Sequence, residues 1–411
     1  METHKSQKLK ISENLEKSKI FQSNQRFLVS RKFAEFSRKL KIAIVMPTHF
    51  DINSSLNNFL KTYQYLIRNK NVEVTLLTDK KNNIKIKNFK IEKINGIDYK
   101  TILEKILFIL GIPRFYYTDL TEKLKIYDVI NANNPEFYAY AYQAYLAAKK
   151  YNIRLILRTS QTVEGFFLFR LTKYIINPLV KKAYDYARFT IFTNPQAEER
   201  CLKLGLLKNK KKSIVTGHAT DTKCFRPIKS KKPKNTILLS VGGLYKIKGH
   251  HLIIQALKKI IDKGHHNTEL WIVGKGYYEY YLKQFARKLG IERNVKFLGS
   301  KGHEDLAKIY NTCDIFVLAN HQEITPAVNE ALACKKPVVV MECGGREFVI
   351  PNKNYGLVSK RFDVNDMAEK IIFLIKNKKE AERIAANGRN YILNNFSIEK
   401  VAEKMYKAFT A

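Results

Sequence analysis

The feature that most constrains the fold is a repeated alternation. Short, continuous apolar runs rich in β-branched residues are separated by longer segments of helical period. IAIVM (42–46), VEVTLL (72–77), DVINA (128–132), RLILR (154–158) and FTIFT (189–193) are the first runs, with helix-period segments at 55–70, near 136–150 and near 170–187. A run that is apolar at every position suits a strand buried on both faces, the situation of a parallel sheet covered by helices. A break follows, with lysine clusters at Lys208–Lys212 and Lys229–Lys234 around Pro227 and Pro233, and reads as a solvated interdomain linker. The alternation then restarts with NTILLSVGGL (235–244), ELWIVG (269–274), VKFLG (295–299), DIFVLAN (314–320), KPVVVMEC (336–343) and YGLVS (355–359). The expected fold class is α/β, with two doubly wound Rossmann-like domains facing across a cleft and ligand edges at the C-terminal ends of the strands. The expected divisions are a basic extension over 1–40, a first domain over 41–228, a second over 229–394 and a final helix over 395–411. In the extension, Phe33, Phe36 and Leu40 sit at helical spacing among Arg31, Lys32, Arg38 and Lys39.

Composition narrows the partners. The 411 residues carry 74 Lys plus Arg against 37 Asp plus Glu, a formal net charge of +37. A disordered basic tail is excluded by 45% apolar residues, 23 Tyr and 24 Phe. Residues 1–228 hold 42 of the basic and 19 of the acidic side chains, a surplus of 23, so the anionic partner is expected on that half. No helix-turn-helix, RRM, KH or zinc motif accompanies the charge, and no nucleic-acid partner is expected. Met1–Lys10 lacks an apolar signal region and no run of about 18 apolar residues exists, so a cytoplasmic chain is expected. The five cysteines are scattered without CxxC, as reduced core thiols are.

Three units carry chemistry. Ser240-Val241-Gly242-Gly243-Leu244 ends a strand and leads through Lys246, Lys248 and Gly249 into a helix. Glycines there let backbone approach a ligand, and the helix N-terminus with Lys248 offers N–H groups and charge to a phosphate. VGKG (273–276), with Gly274 and Gly276, repeats the strand-to-glycine-turn pattern more weakly. From Asp314, a third strand empties into a loop holding Glu323 and then a helix holding Glu330. Carboxylates at a cleft accept hydrogen bonds from sugar or ribose hydroxyls, and Glu330 also suits an ordinary place in a helix's first turns. His218, His303 and His321 are scattered singly, and no D-x-D occurs among the Asp residues, so no metal site is expected.

Together, SVGGLYKIKGHHLIIQAL, LWIVGKGYYEYYLKQFARKLGIERNVKFLG and LAKIYNTCDIFVLANHQEITPAVNEALACKKPVVVMECGG resemble the nucleotide-binding half of GT-B-fold, retaining glycosyltransferases of family 4. VTGHATDTKCFRP (215–227) is similar to that family's crossing between domains, and FSIEKVAEKMYKAF (396–409) to its final helix. The resemblance is strong over 213–411 and fair over 41–212. It implies a second domain that binds a nucleoside-diphosphate sugar and a first domain on the acceptor side. Lys248 would contact the donor diphosphate, Glu330 the ribose and Glu323 the donor sugar. Gly274, Gly276, Val295 and Leu298 would border the base, and backbone amides at Thr325, Pro326 and Ala327 would face the diphosphate beside Gly242 and Gly243. Acceptor-side positions fall at Asn53, Ser54, Ser160 and Gln161. No cofactor is implied beyond the nucleotide-sugar substrate.

The chain departs from that family in four places. Gly243 stands where the family usually has Arg, with Lys246 as a replacement cation. The two glutamates are one residue closer than usual: counted from Asp314 the first is Glu323, while counted back from Glu330 its place is Gln322. Glu323 is favoured, because a one-residue loop deletion costs less than losing the carboxylate. Asn53-Ser54-Ser55 replaces a glycine pair, and Ser160 and Gln161 replace a histidine. Leu103–Tyr117 and Val163–Val180 mix large apolar residues with Lys or Arg, which fits an anionic membrane surface as well as core helices. The expected activity is glycosyl transfer to a lipid-linked or polysaccharide acceptor, peripherally at the membrane; the alternatives are a nucleotide-sugar epimerase or a non-catalytic nucleotide-sugar binder.

Overall fold

The computed structural model describes residues 38–46, 54–80, 82, 89–96, 117–133, 135, 139–159, 178–230 and 233–411. Two parallel sheets organise them. The first contains β1 (Leu40–Val45), β2 (Val72–Asp79), β3 (Lys90–Ile94), β4 (Val129–Asn133), β5 (Arg154–Thr159), β6 (Phe189–Phe192) and β7 (Ser213–Val215), in the order β3-β2-β1-β4-β5-β6-β7. The second contains β8 (Thr236–Val241), β9 (Thr268–Val273), β10 (Val295–Gly299), β11 (Ile315–Leu318), β12 (Val338–Met341) and β13 (Leu357–Ser359), in the order β10-β9-β8-β11-β12-β13. Strand order reverses beside β1 in one sheet and beside β8 in the other. Crossovers therefore leave to opposite faces there, and a crevice opens between β1 and β4 and between β8 and β11.

Pleating sorts each strand's side chains onto two faces. In the first sheet Ala43, Val45, Leu155 and Leu157 pack with the helix Ala139–Tyr151, while Ile42, Ile44 and Ile156 pack with Tyr63 and Leu66 of the helix Ser54–Asn69. Both faces are buried, which is why these strands read as continuous apolar runs. β3 and β7 escape that reading because they are edge strands: KIEKI and SIV have no covered second neighbour and carry polar residues.

Pro227–Lys229 and Pro233–Lys234 are exposed in the passage between the sheets, as expected of a solvated linker, but the rest of the passage differs. Lys208–Lys212 lie before β7 and so within the first sheet's own connections. The passage begins after Val215 and runs through buried Thr216, Thr220 and Phe225. A second passage returns beside it. The Thr220 amide donates to the Phe396 carbonyl at 2.8 Å and the Ile398 amide donates to the Thr220 carbonyl at 3.2 Å. At Gly217 any Cβ would lie 2.4 Å from the Phe396 ring, and φ is +81°, so this crossing requires glycine. The returning helix, Ile398–Thr410, is capped by Ser397 and buries Val401, Met405 and Phe409 against Tyr63 and the first sheet.

Residues 1–37, most of Leu103–Tyr117 and most of Val163–Val180 lie outside the described residues. Among those described, no helix is long and apolar enough to cross a membrane.

Because Phe409 is fully buried in the first domain's core, Phe409→Ala is expected to cost about 3–5 kcal/mol of stability, as aromatic truncations in cores do. Urea denaturation of the two proteins measures this; a difference below about 1 kcal/mol would contradict the packing described.

Candidate functional site

The loops at the β8/β11 crevice touch each other through backbone. The Gly242 amide donates to the Val273 carbonyl (2.9 Å), and the Leu244 amide to the Lys275 carbonyl (3.0 Å). At Gly274 and Gly276 a Cβ would stand 1.9 Å from the Gly242 carbonyl oxygen and 2.3 Å from that of Leu244, so the VGKG turn can lie on the β8 loop only as glycine. Gly249, at φ +70°, meets the Ala319 carbonyl in the same way (1.9 Å), and the His321 amide donates to the Ile247 carbonyl at 3.0 Å. These contacts pull Lys246 and Lys248 against the loop that follows β11. Neither lysine has a carboxylate partner among the described residues, and the helix His250–Asp262 starts directly behind them without a side-chain cap. Its first amides and two cations thus face the crevice.

His250 occupies the first position of that helix, buried beneath the Gly242–Gly243 turn. Its Nδ1 lies 3.1 Å from Ser240 Oγ, and the Gly242 and Gly243 backbone lies against the ring. The sequence reading passed over this pair; its signal is a histidine at a helix start preceded by a buried strand serine. Burial, with Lys248 and His251 adding repulsion, pushes His250 down to about 4.

After β11 the chain adds a one-residue bridge to the loop after β12: Glu323 pairs in parallel with Gly344, and the Ile324 amide donates to the Gly344 carbonyl at 2.9 Å. This turn aims Glu323 into a cavity between the two domains, lined also by Thr193, Asn194, His218, Thr325 and Asn329. Gln322, the competing candidate, is exposed and absent from that lining. Thr325 stands at the N-cap of the helix Pro326–Ala333, makes no side-chain cap bond, and its hydroxyl is buried without a partner. Pro326 at the first helical position removes an amide, so only the following N–H groups are available there. Ala327 is buried in the core of the second domain.

Two expected residues sit apart from the open crevice. Val295 begins β10, opposite Leu270 and packed with Leu282 and Ile291, at the end of the strand away from the ligand edge; it cannot border a base from there. Leu298, beside Gly299 at the C-terminal end, stays at that edge. Glu330 is 1% exposed, with its Oε2 3.0 Å from the Tyr310 hydroxyl, which also lies 3.1 Å from the Ala327 carbonyl. Its carboxylate stands in the second turn of the helix, a buried position.

On the first domain's side, Asn53, Ser160 and Gln161 lie outside the described residues, and of Ser54 only the backbone, opening the helix Ser54–Asn69, is described. The sequence reading also missed Gln196, in the helix Pro195–Lys203, whose Oε1 is 2.9 Å from where a Cβ on Gly345 would sit. Gly345, at φ +77°, thus brings the loop after β12 close to Gln196 of the first domain. Among the described residues no group of three or more His, Cys, Asp or Glu side chains could hold a metal ion. His303 lies tilted against Phe225, and His321 lies edge-on between His251 and Phe362.

Comparison with known proteins bears on this arrangement. A glycosyltransferase from Rickettsia africae superposes with a TM-score of 0.71 at 16% identity, over 90% of this chain and 98% of that one. Anabaena HepE in complex with UDP does so at 0.71 and 15% identity, over 90% and 100%. The fold is GT-B. Within it, residues 221–391 match the family model described as glycosyl transferases group 1. The capsular polysaccharide biosynthesis glycosyltransferase CapM of Staphylococcus aureus is 31% identical over 179 residues, 43% of this chain and 47% of that protein. The N,N'-diacetylbacillosaminyl-diphospho-undecaprenol alpha-1,3-N-acetylgalactosaminyltransferase of Campylobacter jejuni is 29% identical over 239 residues, 55% and 61%. The alignments thus span about half the length of these curated relatives, and the family match covers the second domain.

The buried histidines make stability depend on pH. His218 is likewise pushed down to about 4, by burial and by the Arg158 charge. Between the ordinary 6.5 and about 4 the unfolded chain binds these protons and the native chain does not, so stability falls as pH drops through that window. His250 alone is expected to contribute a loss of about 2 kcal/mol between pH 7 and pH 5. Denaturant titrations at the two pH values, with wild type and His250→Asn, measure it: the variant should show the smaller loss, and equal losses would refute the assignment.

Proposed function

We propose that this chain is a glycosyltransferase that moves a sugar from a nucleoside-diphosphate sugar to a lipid-linked or polysaccharide acceptor, with retention of anomeric configuration. The observation that carries the reading is the convergence, at the switch point of the second sheet, of the Gly242–Gly249 turn, the VGKG turn and the Glu323 loop in a GT-B frame. A departing nucleoside diphosphate develops negative charge, and preorganised cations and amides lower the barrier to its departure. Lys248, Lys246 and the amides opening the helix His250–Asp262 supply that charge. Glu323 holds hydroxyls of the transferred sugar at the cleft face, and Glu330, if reached by the ribose, would exchange its Tyr310 contact for the ligand. The mechanism needs no metal and no cofactor; cationic side chains do the work a D-x-D-bound ion does elsewhere. The relatives named for capsular polysaccharide synthesis and for a diphospho-undecaprenol acceptor support the acceptor class.

Nucleoside-diphosphate release from a panel of UDP-, GDP- and ADP-sugars, with lipid-linked acceptor present, tests the activity. Lys248→Ala and Glu323→Gln should each lower turnover by about tenfold to a thousandfold, as removal of a charge stabiliser or a sugar-orienting group does. Nucleotide binding without release from any donor would favour the non-catalytic binder, in keeping with the cation lost at Gly243.

The cationic surplus in the first half of the chain fits work at an anionic cytoplasmic membrane face, each Lys or Arg near such lipid adding about 1 kcal/mol. Flotation with vesicles containing phosphatidylglycerol should succeed at low salt and fail near 1 M salt, where screening is short-ranged; failure to float at low salt would remove the membrane from the proposal.

A further inference from the structure

Among the described residues, Arg158 is a cation without an anion. It is the fifth residue of β5, on the face that carries Ile156, and is partly buried there. The guanidinium lies over the Phe59 ring, 4.3 Å from its centroid. Its Nε is buried with no hydrogen-bond partner, and no carboxylate pairs with it among the described residues. Arginines are rarely buried unless paired, because desolvating a charge without a counter-charge is costly. The remaining N–H groups open to a cavity lined by Thr62, His218, Ala219, Pro326 and Met405. That cavity adjoins the one holding Glu323, since Gly217 and His218 line both. The floor of the cleft therefore has a fixed cation from the first sheet, across from the loop of Glu323 and Thr325 and separate from Lys246 and Lys248 at the end of β8.

We propose that Arg158 is the anchor of an acceptor-side anion subsite, which takes a phosphate group carried by the sugar acceptor. The planar fork of a guanidinium matches two phosphate oxygens at once. The neutral His218 and the Thr62 hydroxyl supply polar neighbours without a second charge. Held there, the phosphate positions the acceptor against the Glu323 loop, so the subsite defines the substrate as a phosphorylated acceptor rather than a neutral glycan. This inference rests on the transferase reading for the meaning of the word acceptor, while the phosphate site itself is testable alone.

The probe is inorganic phosphate, measured by calorimetry with the full chain in phosphate-free buffer, first alone and then with whichever nucleoside diphosphate binds, held at saturation. With the nucleotide in place, wild type and Lys248→Ala should both bind phosphate, and Arg158→Gln should bind it about tenfold to a hundredfold more weakly. Arg158→Lys, which keeps the charge but loses the fork, should fall between and carries the test if the Gln variant does not fold, as checked by its melting temperature. Unchanged phosphate affinity in either Arg158 variant would overturn the proposal. So would a loss of nucleotide affinity in Arg158→Gln with phosphate binding intact, which would assign the guanidinium to the donor instead. If no nucleotide binds yet phosphate binding still depends on Arg158, the transferase reading fails and the anion subsite stands.

Discussion

The chain passes between its two sheets twice, and the two passages are hydrogen-bonded to each other through Thr220, Phe396 and Ile398. Everything at the cleft depends on this pairing. A single flexible passage would let the two C-terminal edges face in any direction. Two passages locked side by side, with the Phe396 ring seated on Gly217, restrict the domains to rotation about that seam. Gly217 and His218 at the seam line both cavities, so the hinge and the site share residues. Displacing the final helix from the Tyr63 and Ile42 core would therefore change the cleft as well as the first domain's stability.

At the second domain's edge the organising constraint is space rather than attraction. Gly249, Gly274 and Gly276 each admit a carbonyl where a Cβ would stand. That closeness lets three loops from β8, β9 and β11 meet at backbone distance, leaving their amides turned outward and the flexible lysines to reach over them. A site made this way is built from backbone, whereas the first domain's cation rests on an aromatic ring, Phe59.

Much of this was legible in the sequence, for a physical reason. Strands buried on both faces must be apolar throughout, so the central strands of both sheets declare themselves, and the glycine turns after β8 and β9 mark where backbone must approach backbone. Edge strands β3 and β7 obey no such rule and were not legible. Val295 misled because proximity in sequence to Leu298 hides that the two lie at opposite ends of one strand, five residues long. Glu323 and Gln322 could not be separated by counting; both lie at the bridge to Gly344, between loops distant in sequence, and only Glu323 lines the cavity between the domains. Arg158 was written plainly in RLILR, but as the flank of an apolar run. Only the parity of the strand, with Ile156 facing the final helix, shows that its last arginine points inward.

That parity also changes what the net charge of +37 means. Many surface lysines of the described residues, such as Lys150, Lys203, Lys258 and Lys283, are engaged with nearby carboxylates in exposed pairs that contribute little energy and are screened by salt. They set a diffuse field that draws in anions without choosing among them. Choice requires a cation whose position is fixed and whose alternative partners, water included, are excluded. Lys248 is fixed only at its backbone, by the Gly249–Ala319 contact, whereas the Arg158 guanidinium itself rests on Phe59. The two cations belong to different domains, and the transfer proposed above between two phosphorylated molecules would place one phosphate at each of them.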